Sequence, residues 1–560
     1  MSEVANNSRV ILAEHMDAVN QNRAKLQALY GENKRITDGG YDKALAVKCK
    51  NGTFVGKETD GVIAYKGIPY TGKPPIGELR WKAPVDVVAD DGVYEAYYNA
   101  KSARQMISDT ETASLYYQSE DCLYLNIWLA KDENASGNAD AKAAHPCASK
   151  PVIVWIHGGA FELGGTVEPV TECTNFVREN PDVIVVSIAY RIGVFGFFHL
   201  SHLPDGKDYP DAQNLGLLDQ MMALKWVHEN IAGFGGDPEN VTIWGESAGA
   251  ASVILLPLIK GSHAYFHRVI AQSGSPVFTR TPEDAIACTN EMMDMFGCKT
   301  VADLQKLDMD KFVEASGVLG LRVWAERDGN LLPLDPYDEY AKGAAKDIDI
   351  LQGCNKDELG FFIIGMGLEG YNVWAADRKA KKIKQLSEKE KALVEGFCRE
   401  WGEDYLYDKD ERANSAALFD QIVFIAPLFR MLENQTNAGG KTYAYFFTPE
   451  SSKQYVRSGH SVELSAVFAH PEVADETGRA FDETFSKTMR KMWVQFAKTG
   501  DPSLSADISP DGKAHEWPLY DTENREMMVL DEFDIHTEKE SEKKILDWDR
   551  TYFLTKYYCI

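Results

Sequence analysis

Residues 241–256 read VTIWGESAGAASVILL, which is a short apolar run, a turn of small residues and a second apolar run. The β-branched residues of the first part predict a buried strand, and the second part predicts a helix that starts at residue 247. Two further apolar runs, 152–156 and 183–190, predict strands buried on both faces, and the apolar spacing over 215–231 predicts a helix. This alternation predicts an α/β fold with a mostly parallel central sheet, helices on both faces and helical cap-like insertions.

The turn in this segment, Gly245-Glu246-Ser247-Ala248-Gly249, has the pattern G-x-S-x-G, which occurs once in the chain. The pattern alone is a weak signal, but its position between a strand and a helix makes it specific. In a nucleophile elbow the glycines let strand and helix approach closely, and the serine Oγ is pushed out at the carboxyl edge of the sheet. We therefore predict that Ser247 is a nucleophile. The alternative is a glycine-rich turn with a capping serine.

A second loop of small residues, His157-Gly158-Gly159-Ala160-Phe161, follows the predicted strand 152–156. The backbone N–H groups of Gly158, Gly159 and Ala160 can face a substrate oxygen, together with the N–H of Ala248 after the serine. Such an oxyanion hole receives the negative charge that develops when a serine attacks an ester. A simple tight turn is the alternative for this loop taken alone.

Longer stretches of the chain carry a family resemblance that extends from about Val47 to Tyr520. They include SEDCLYLNIW at 119–128, VIVWIHGGAFELGG at 152–165, AYRIGVFGFF at 189–198 and NKDELGFF at 355–362. The chain resembles the type-B carboxylesterase and lipase family, the cholinesterase-like α/β-hydrolases, and is closest in character to the bacterial carboxylesterases. The resemblance implies a serine carboxylester hydrolase without a cofactor, whose triad in chain order is Ser247, Glu358 and His460.

Elimination among the twelve histidines also favours His460 as the general base. A glycine and a serine flank it in a loop just after the predicted strand 443–447, where a catalytic loop at the sheet edge belongs. His470 is the serious alternative. His263 and His267 are one helical turn apart but have no third ligand nearby in sequence, so we predict no metal site. The histidines predicted to lie on surface or loop segments are His145, His199, His202, His228, His515 and His536.

Two segments depart from the cholinesterase pattern. The loop 109–122 has no tryptophan to hold a quaternary ammonium group by a cation–π contact. Leu319, Leu321 and Val323 are aliphatic where cholinesterase-like proteins carry aromatic residues, and we assign these three residues to substrate binding. We therefore expect a small neutral ester as substrate, with room for a bulkier acyl group, rather than a choline ester.

The composition limits the partners and the compartment. The 560 residues include 59 basic and 85 acidic side chains, and the net charge of −26 disfavours nucleic acid and anionic membranes as partners. No secretory signal and no long apolar stretch is visible. The nine cysteines are an odd number without C-x-x-C spacing, and Cys122 lacks the upstream partner it has in secreted relatives. We expect free thiols and a cytoplasmic location. The sequence assigns no oligomeric state.

The domain organisation is predicted to be simple. Residues 1–40 form an N-terminal appendage with a helix at 12–30, and residues 41–560 form a single domain with a helical insertion at about 367–435. Two other functions compete with ester hydrolysis, a catalytically silent adhesion or scaffold homologue and a lipase acting on aggregated lipid. The intact triad argues against the first, and the lack of an evident large apolar lid argues against the second.

Overall fold

A computed structural model describes residues 31–107, 116–131, 150–320, 323–384, 386–392, 395–396, 420–473 and 477–539. The predicted helix at 12–30, most of the loop at 130–150 and positions 397–419 of the predicted insertion lie outside these residues. The division of the chain at residue 40 stays a prediction.

The central element is a mixed sheet whose strands alternate with helices along the chain. Its strands are β1 Lys57–Thr59, β2 Val62–Pro69, β3 Tyr124–Ala130, β4 Lys150–Ile156, β5 Ile184–Ile188, β6 Gly236–Glu246, β7 Arg268–Gln272, β8 Asp349–Asn355, β9 Thr442–Phe447, β10 Glu526–Leu530 and β11 His536–Lys539. The order across the described sheet is β11-β10-β9-β8-β7-β6-β4-β5-β3-β2-β1. All pairings from β5 through β10 are parallel, whereas β1, β2, β3 and β11 pair antiparallel at the two edges.

Helices cover both faces of this sheet. Among the described residues they are α1 Thr174–Glu179, α2 Gly193–Gly196, α3 Leu215–Asn230, α4 Ala248–Leu255, α5 Pro282–Phe296, α6 Val301–Leu304, α7 Met309–Val318, α8 Pro336–Ala341, α9 Phe362–Lys384, α10 Ala426–Asn437, α11 Leu464–Val467 and α12 Glu483–Thr499. The predicted fold class, a mostly parallel sheet with helices on both faces, is confirmed. No helix in the described ranges is both long enough and apolar enough to cross a bilayer.

Alternation along the central strands builds two apolar layers. In β4, Val154 and Ile156 belong to the larger cluster on one face, and Ile153 and Trp155 belong to the cluster on the other. The rings of Trp155 and Trp244 are 4.8 Å apart in the second layer. Burial of each such large side chain stabilises the fold by about 1.5–3 kcal/mol, which explains why these strands are apolar on both faces.

The parallel strands direct four loops to one edge of the sheet. His157 follows β4, Ser247 follows β6, Glu358 follows β8 and His460 lies in the loop after β9. Because the carboxyl ends of parallel strands meet at the same edge, residues far apart in sequence come together there.

Candidate active site

Ser247 occupies a sharp turn between β6 and α4. Its backbone has φ 56° and ψ −121°, a left-handed conformation that is rare for a residue with a side chain. A Cβ atom on Gly249 would overlap the carbonyl oxygen of Ile156, so glycine is required where the helix passes over β4. The N–H of Ser247 donates to the carbonyl of Gln272 at 2.9 Å. The predicted strand–turn–helix geometry is therefore present, and Ser247 is partly exposed at the sheet edge.

His460 and Glu358 form a close pair at the same edge. The Nδ1 of His460 lies 2.6 Å from Oε2 of Glu358, and the backbone N–H of His460 donates to the carbonyl of Glu358 at 2.8 Å. The other carboxylate oxygen of Glu358 accepts the N–H of Asn355 at 2.8 Å. Glu358 is fully buried and His460 is 7% exposed. The carboxylate is thus fixed on both oxygens and holds the imidazole in one orientation.

The neighbouring acid, Asp357, has a different place. It precedes a short 3-10 helix, Glu358–Phe361, and its backbone N–H donates to the carbonyl of Ser458 at 2.9 Å. The carbonyl of Asp357 accepts the N–H of Gly360 at 2.8 Å. Of the two adjacent acids, Glu358 is the one bonded to the imidazole of His460.

A second carboxylate, that of Glu246, faces the other ring nitrogen of His460. Its Oε1 lies 3.0 Å from Nε2 and also accepts the hydroxyl of Ser461 at 2.7 Å. The structure therefore brings His460 to Glu246 and Glu358. The hydroxyl of Ser247 forms no hydrogen bond with any described residue. The sequence motif does not predict a role for Glu246, because its position in G-x-S-x-G has no fixed residue type; the only signal for it is an acid next to the serine.

A third buried carboxylate lies behind this pair. Oε1 of Glu463 accepts the side-chain amide of Gln272 at 2.8 Å, and Oε2 accepts that of Asn355 at 2.6 Å. Asn355 also donates to the carbonyl of Gly459 at 2.8 Å, next to His460. Side-chain amides therefore join the loops after β8 and β9. Each carboxylate oxygen of Glu463 accepts one hydrogen bond from these amides.

The three carboxylates shift the ionisation of the histidine. Burial alone would lower the pKa of His460, but the negative charges of Glu246 and Glu358 outweigh it and raise that pKa to about 9. Burial raises the pKa of Glu246 to about 7 despite the attraction of His460. Burial also raises the pKa of Glu463. The negative charges beside His460 therefore favour its protonated form.

The loop after β4 lies directly against the serine turn. A Cβ atom on Gly158 would lie 3.1 Å from Cβ of Ser247, so the two backbones are in close approach. Gly159 and Ala160 have φ of 97° and 55°. Within the described residues, the N–H groups of these three residues and of Ala248 form no hydrogen bond, which leaves four donors next to Ser247.

The structure describes two of the three predicted substrate-binding residues. Val323 is buried and donates its N–H to Glu162 at 3.1 Å, Leu319 is partly buried at the end of α7, and Leu321 lies outside the described residues. The side chain beside His460 is an aromatic one, Phe424, with ring centroids 4.9 Å apart.

Further aromatic rings extend from Phe424. Phe278 lies 5.4 Å from it, and Trp324 lies 5.8 Å from Phe278. Sequence analysis missed Phe424 because it lies in the π-helical turn Asp420–Ile425, within the predicted insertion, where no motif marks it. The assignment of Leu319, Leu321 and Val323 to substrate binding stays a prediction, and Phe424 is a further apolar residue, next to His460.

The other described histidines form no bond with Ser247, Glu246 or Glu358, and His145 lies outside the described residues. Both ring nitrogens of His470 are occupied, Nδ1 by Glu472 at 2.8 Å and Nε2 by the carbonyl of Glu172 at 2.6 Å. His199 and His515, which we predict on surface or loop segments, are both buried, and each is bonded to a carboxylate. In the described part of the chain no three or more His, Cys, Asp or Glu side chains are placed so that they could hold a metal ion.

Comparisons with known proteins agree with this architecture. The family model described as "Carboxylesterase family" matches residues 43–546. A para-nitrobenzyl esterase of Bacillus subtilis (strain 168) is 33% identical over 519 residues, covering 89% of this chain and 97% of that protein. A cholinesterase of Mus musculus is 31% identical over 509 residues, covering 84% of this chain and 79% of that protein.

Solved structures give the same result. The carboxylesterase EST55 of Geobacillus stearothermophilus superposes with a TM-score of 0.74 at 31% sequence identity, covering 91% of this chain and 99% of that one. A thermophilic PNB esterase gives a TM-score of 0.74, also at 31% identity, over 90% of this chain. The chain therefore belongs to the carboxylesterase family and is a carboxylesterase.

Proposed function

We propose that this carboxylesterase cleaves small neutral carboxylic esters through an acyl-enzyme on Ser247, with His460 as general base and Glu358 as the acid that orients it. The observation that carries the proposal is the 2.6 Å bond between Nδ1 of His460 and Glu358, formed at the sheet edge beside the strained turn of Ser247. A serine hydroxyl is too weakly acidic to attack an ester alone, and this pair supplies the base that it needs.

In the acylation step, Oγ of Ser247 attacks the ester carbonyl carbon and its proton passes to Nε2 of His460. This requires His460 to exchange its 3.0 Å contact with Glu246 for one with the adjacent serine, and such bonds commonly tighten only when substrate binds. Glu358 accepts the hydrogen bond of the Nδ1–H group throughout, does not take its proton, and stabilises the imidazolium. The imidazolium then gives its proton to the leaving alcohol as the ester C–O bond breaks.

The unpaired N–H groups of Gly158, Gly159, Ala160 and Ala248 are proposed to receive the negative charge on the tetrahedral oxygen. Donors that are already oriented by the backbone need no rearrangement when the charge develops. Deacylation repeats the sequence with water as the nucleophile, and His460 removes its proton. The acid is released, the Ser247 hydroxyl is restored, and no cofactor is required.

The substrate class is proposed from Phe424 next to His460, from the ring of Phe278 beside it, and from the predicted substrate-binding residues. Phe424, Phe278, Leu319 and Val323 are apolar, so the acyl and alcohol groups that fit here are neutral. The aromatic rings favour a flat or branched apolar group over a charged one. A panel of p-nitrophenyl esters of increasing acyl length measures this preference directly.

The triad is tested with Ser247→Ala and a fluorophosphonate probe, read out as the modified Ser247 peptide by mass spectrometry. We expect wild-type protein to be modified at Ser247 and the variant to retain less than about a thousandth of wild-type kcat on p-nitrophenyl acetate. The double variant Ser247→Ala/His460→Ala should be scarcely slower than either single variant, because the two residues act as a unit.

His470→Ala is the matched control, since this buried histidine also contacts a carboxylate but is not bonded to Glu358. It should keep wild-type kcat. If the probe inhibits the wild-type enzyme but leaves the Ser247 peptide unmodified, the assignment of Ser247 is wrong. If His470→Ala is inactive and His460→Ala is active, the assignment of His460 is wrong.

A further inference from the structure

A second chain of hydrogen bonds from serine to histidine to glutamate occurs away from the elbow, in the segment after α2. Nδ1 of His199 lies 2.8 Å from Oε2 of Glu326, and Nε2 of His199 lies 3.1 Å from Oγ of Ser201. The three residue types and both contacts repeat the order proposed for the active site. None of these three residues takes part in the chemistry proposed for Ser247.

The hydrogen bonds select one tautomer of the neutral imidazole. Glu326 is 1% exposed, and as a carboxylate it only accepts, so Nδ1 of His199 donates to it. In the neutral ring, Nε2 then carries the lone pair and accepts a hydrogen bond from the hydroxyl of Ser201. This is the arrangement in which an imidazole activates a serine.

The surrounding structure holds the histidine and glutamate in place. The amide of Asn214 bonds to both backbone groups of Glu326, accepting its N–H at 2.8 Å and donating to its carbonyl at 2.9 Å. The hydroxyl of Thr289 donates to the carbonyl of His199 at 2.7 Å. The base and its acid therefore have little freedom to turn away from Ser201.

The three hydrogen-bonded residues differ in their exposure to solvent. His199 is 8% exposed, whereas Ser201 is exposed to solvent. A reagent in solution can therefore reach the hydroxyl without entering the active site. If the bond between His199 and Glu326 only held their two segments together, Ser201 would not be more reactive than an ordinary exposed serine.

We propose that Ser201 is a second acylatable serine, which takes an acyl group from activated carboxylic esters and a phosphonyl group from fluorophosphonates. Oγ of Ser201 attacks the carbonyl carbon while its proton passes to Nε2 of His199. The bond to the leaving alcohol then breaks, the alcohol takes that proton, and an O-acyl serine remains. With a fluorophosphonate, the P–F bond breaks and fluoride leaves. The established esterase activity brings such acyl donors to the protein, and the proposal does not depend on the role of Ser247.

The test uses the full-length Ser247→Ala variant, so that the elbow serine cannot react. It is incubated with a fluorophosphonate probe and, separately, with p-nitrophenyl acetate, and the modified peptides are quantified by mass spectrometry over time. The internal reference is Ser505, an exposed serine whose hydroxyl bonds to the carboxylate of Asp507 and to no histidine. We expect Ser201 to be modified about a hundredfold faster than Ser505, the usual gain from a positioned general base.

His199→Gln in the same background should lower the modification of Ser201 to the rate of Ser505. His202→Gln is the matched control, because this neighbouring imidazole lies with its ring 5.3 Å from that of His199 but is bonded to Asn290 and not to Ser201. It should leave the rate unchanged. Replacing the exposed Ser201 with alanine should remove the corresponding share of total label without changing the melting temperature.

Equal modification rates at Ser201 and Ser505 would overturn the proposal, and so would modification that survives His199→Gln or is lost in His202→Gln. These outcomes are independent of the active-site assignment. That assignment is judged on the Ser247 peptide of the wild-type protein, whereas this one is judged on the Ser201 peptide of a variant that lacks the elbow hydroxyl.

Discussion

His460 carries a carboxylate on each ring nitrogen, and the two carboxylates have different roles at the scale of single residues. Glu358 binds Nδ1 and is itself held by the N–H of Asn355, so it sets the orientation of the ring. Glu246 binds Nε2, the nitrogen that must be free to take a proton from serine. The first contact therefore supports the proposed base, and the second competes with it.

Glu358→Gln tests the first contact. The amide has the same size but cannot stabilise the imidazolium, so we expect kcat to fall by roughly two to four orders of magnitude at neutral pH with a modest change in KM. The measurement is steady-state hydrolysis of a p-nitrophenyl ester.

Asp357→Asn is the matched change at the adjacent buried acid. Asp357 is not bonded to His460. This variant should therefore keep most of its kcat and lose thermal stability instead. If Asp357→Asn were the inactive variant and Glu358→Gln the active one, the orienting acid would be Asp357.

The contact between Glu246 and Nε2 of His460 predicts how kcat/KM depends on pH. The pKa of His460 is raised to about 9, so below that pH the imidazole holds its proton and cannot act as the base. Its neutral fraction grows as the pH rises, and kcat/KM should therefore increase from pH 6 towards pH 9. The measurement is a kcat/KM profile between these values.

Glu246→Gln should shift that profile. Removing this negative charge lowers the pKa of His460 even though Glu358 and Glu463 remain, so the acid limb should move to lower pH by roughly one to three units. Glu472→Gln is the control, because this carboxylate binds His470 instead. Identical profiles for wild type and Glu246→Gln would show that Glu246 does not control the ionisation of His460.

At the scale of elements, the approach of α4 to β4 determines whether the serine turn can form. A side chain on Gly249 would meet the backbone of Ile156, which cannot move aside as a flexible side chain can. Gly249→Ala should therefore reduce the free energy of unfolding by about 1–3 kcal/mol and also lower kcat, because the turn shifts. Chemical denaturation and kinetics measure the two effects.

Gly370→Ala is the control for this substitution. Gly370 lies in α9, where an added Cβ has only Met366 in ordinary contact, so alanine should leave stability unchanged or slightly higher. If Gly249→Ala is as stable and active as Gly370→Ala, the close approach of α4 to β4 does not explain why residue 249 is glycine.

The elements that sequence analysis predicted well are those whose pattern comes from burial on both faces. The run 183–190 was predicted as a strand, and β5 covers Ile184–Ile188 within it. The apolar run 241–244 predicts only part of β6. The strand begins at Gly236 and includes Pro238. The register shifts where this first part pairs with β4, and turn residues such as glycine and proline do not predict a strand.

The candidate site shows the same division. Ser247 and the loop at 157–161 lie in short motifs that a turn requires, so their placement could be predicted from the sequence. Glu246 and Phe424 act through contacts with His460, which is distant in the chain from both. Pairings of this kind depend on how the strands are ordered in the sheet, and no local pattern records that order.

At the scale of the whole molecule, the cysteines bear on the compartment. Cys49, Cys122, Cys173 and Cys354 are buried thiols, and burial raises the pKa of each. We expect all nine thiols to be counted as free in denatured, non-reduced protein, and a reductant should not change the melting temperature. These four should react slowly in the native protein because the thiolate is the reactive form. Two or more protected thiols in freshly purified protein would contradict the proposed cytoplasmic location.

The arrangement of the four loops at one sheet edge also has a consequence for biosynthesis. In the proposed mechanism the serine, the acid and the histidine follow β6, β8 and β9, so a nascent chain of only the first 440 residues contains the proposed nucleophile without its proposed base. We therefore expect no ester turnover at the elbow of such a chain until its last strands pair, because the loop that carries His460 follows β9. Recovery of ester turnover during refolding therefore reports completion of the central sheet and not its initiation.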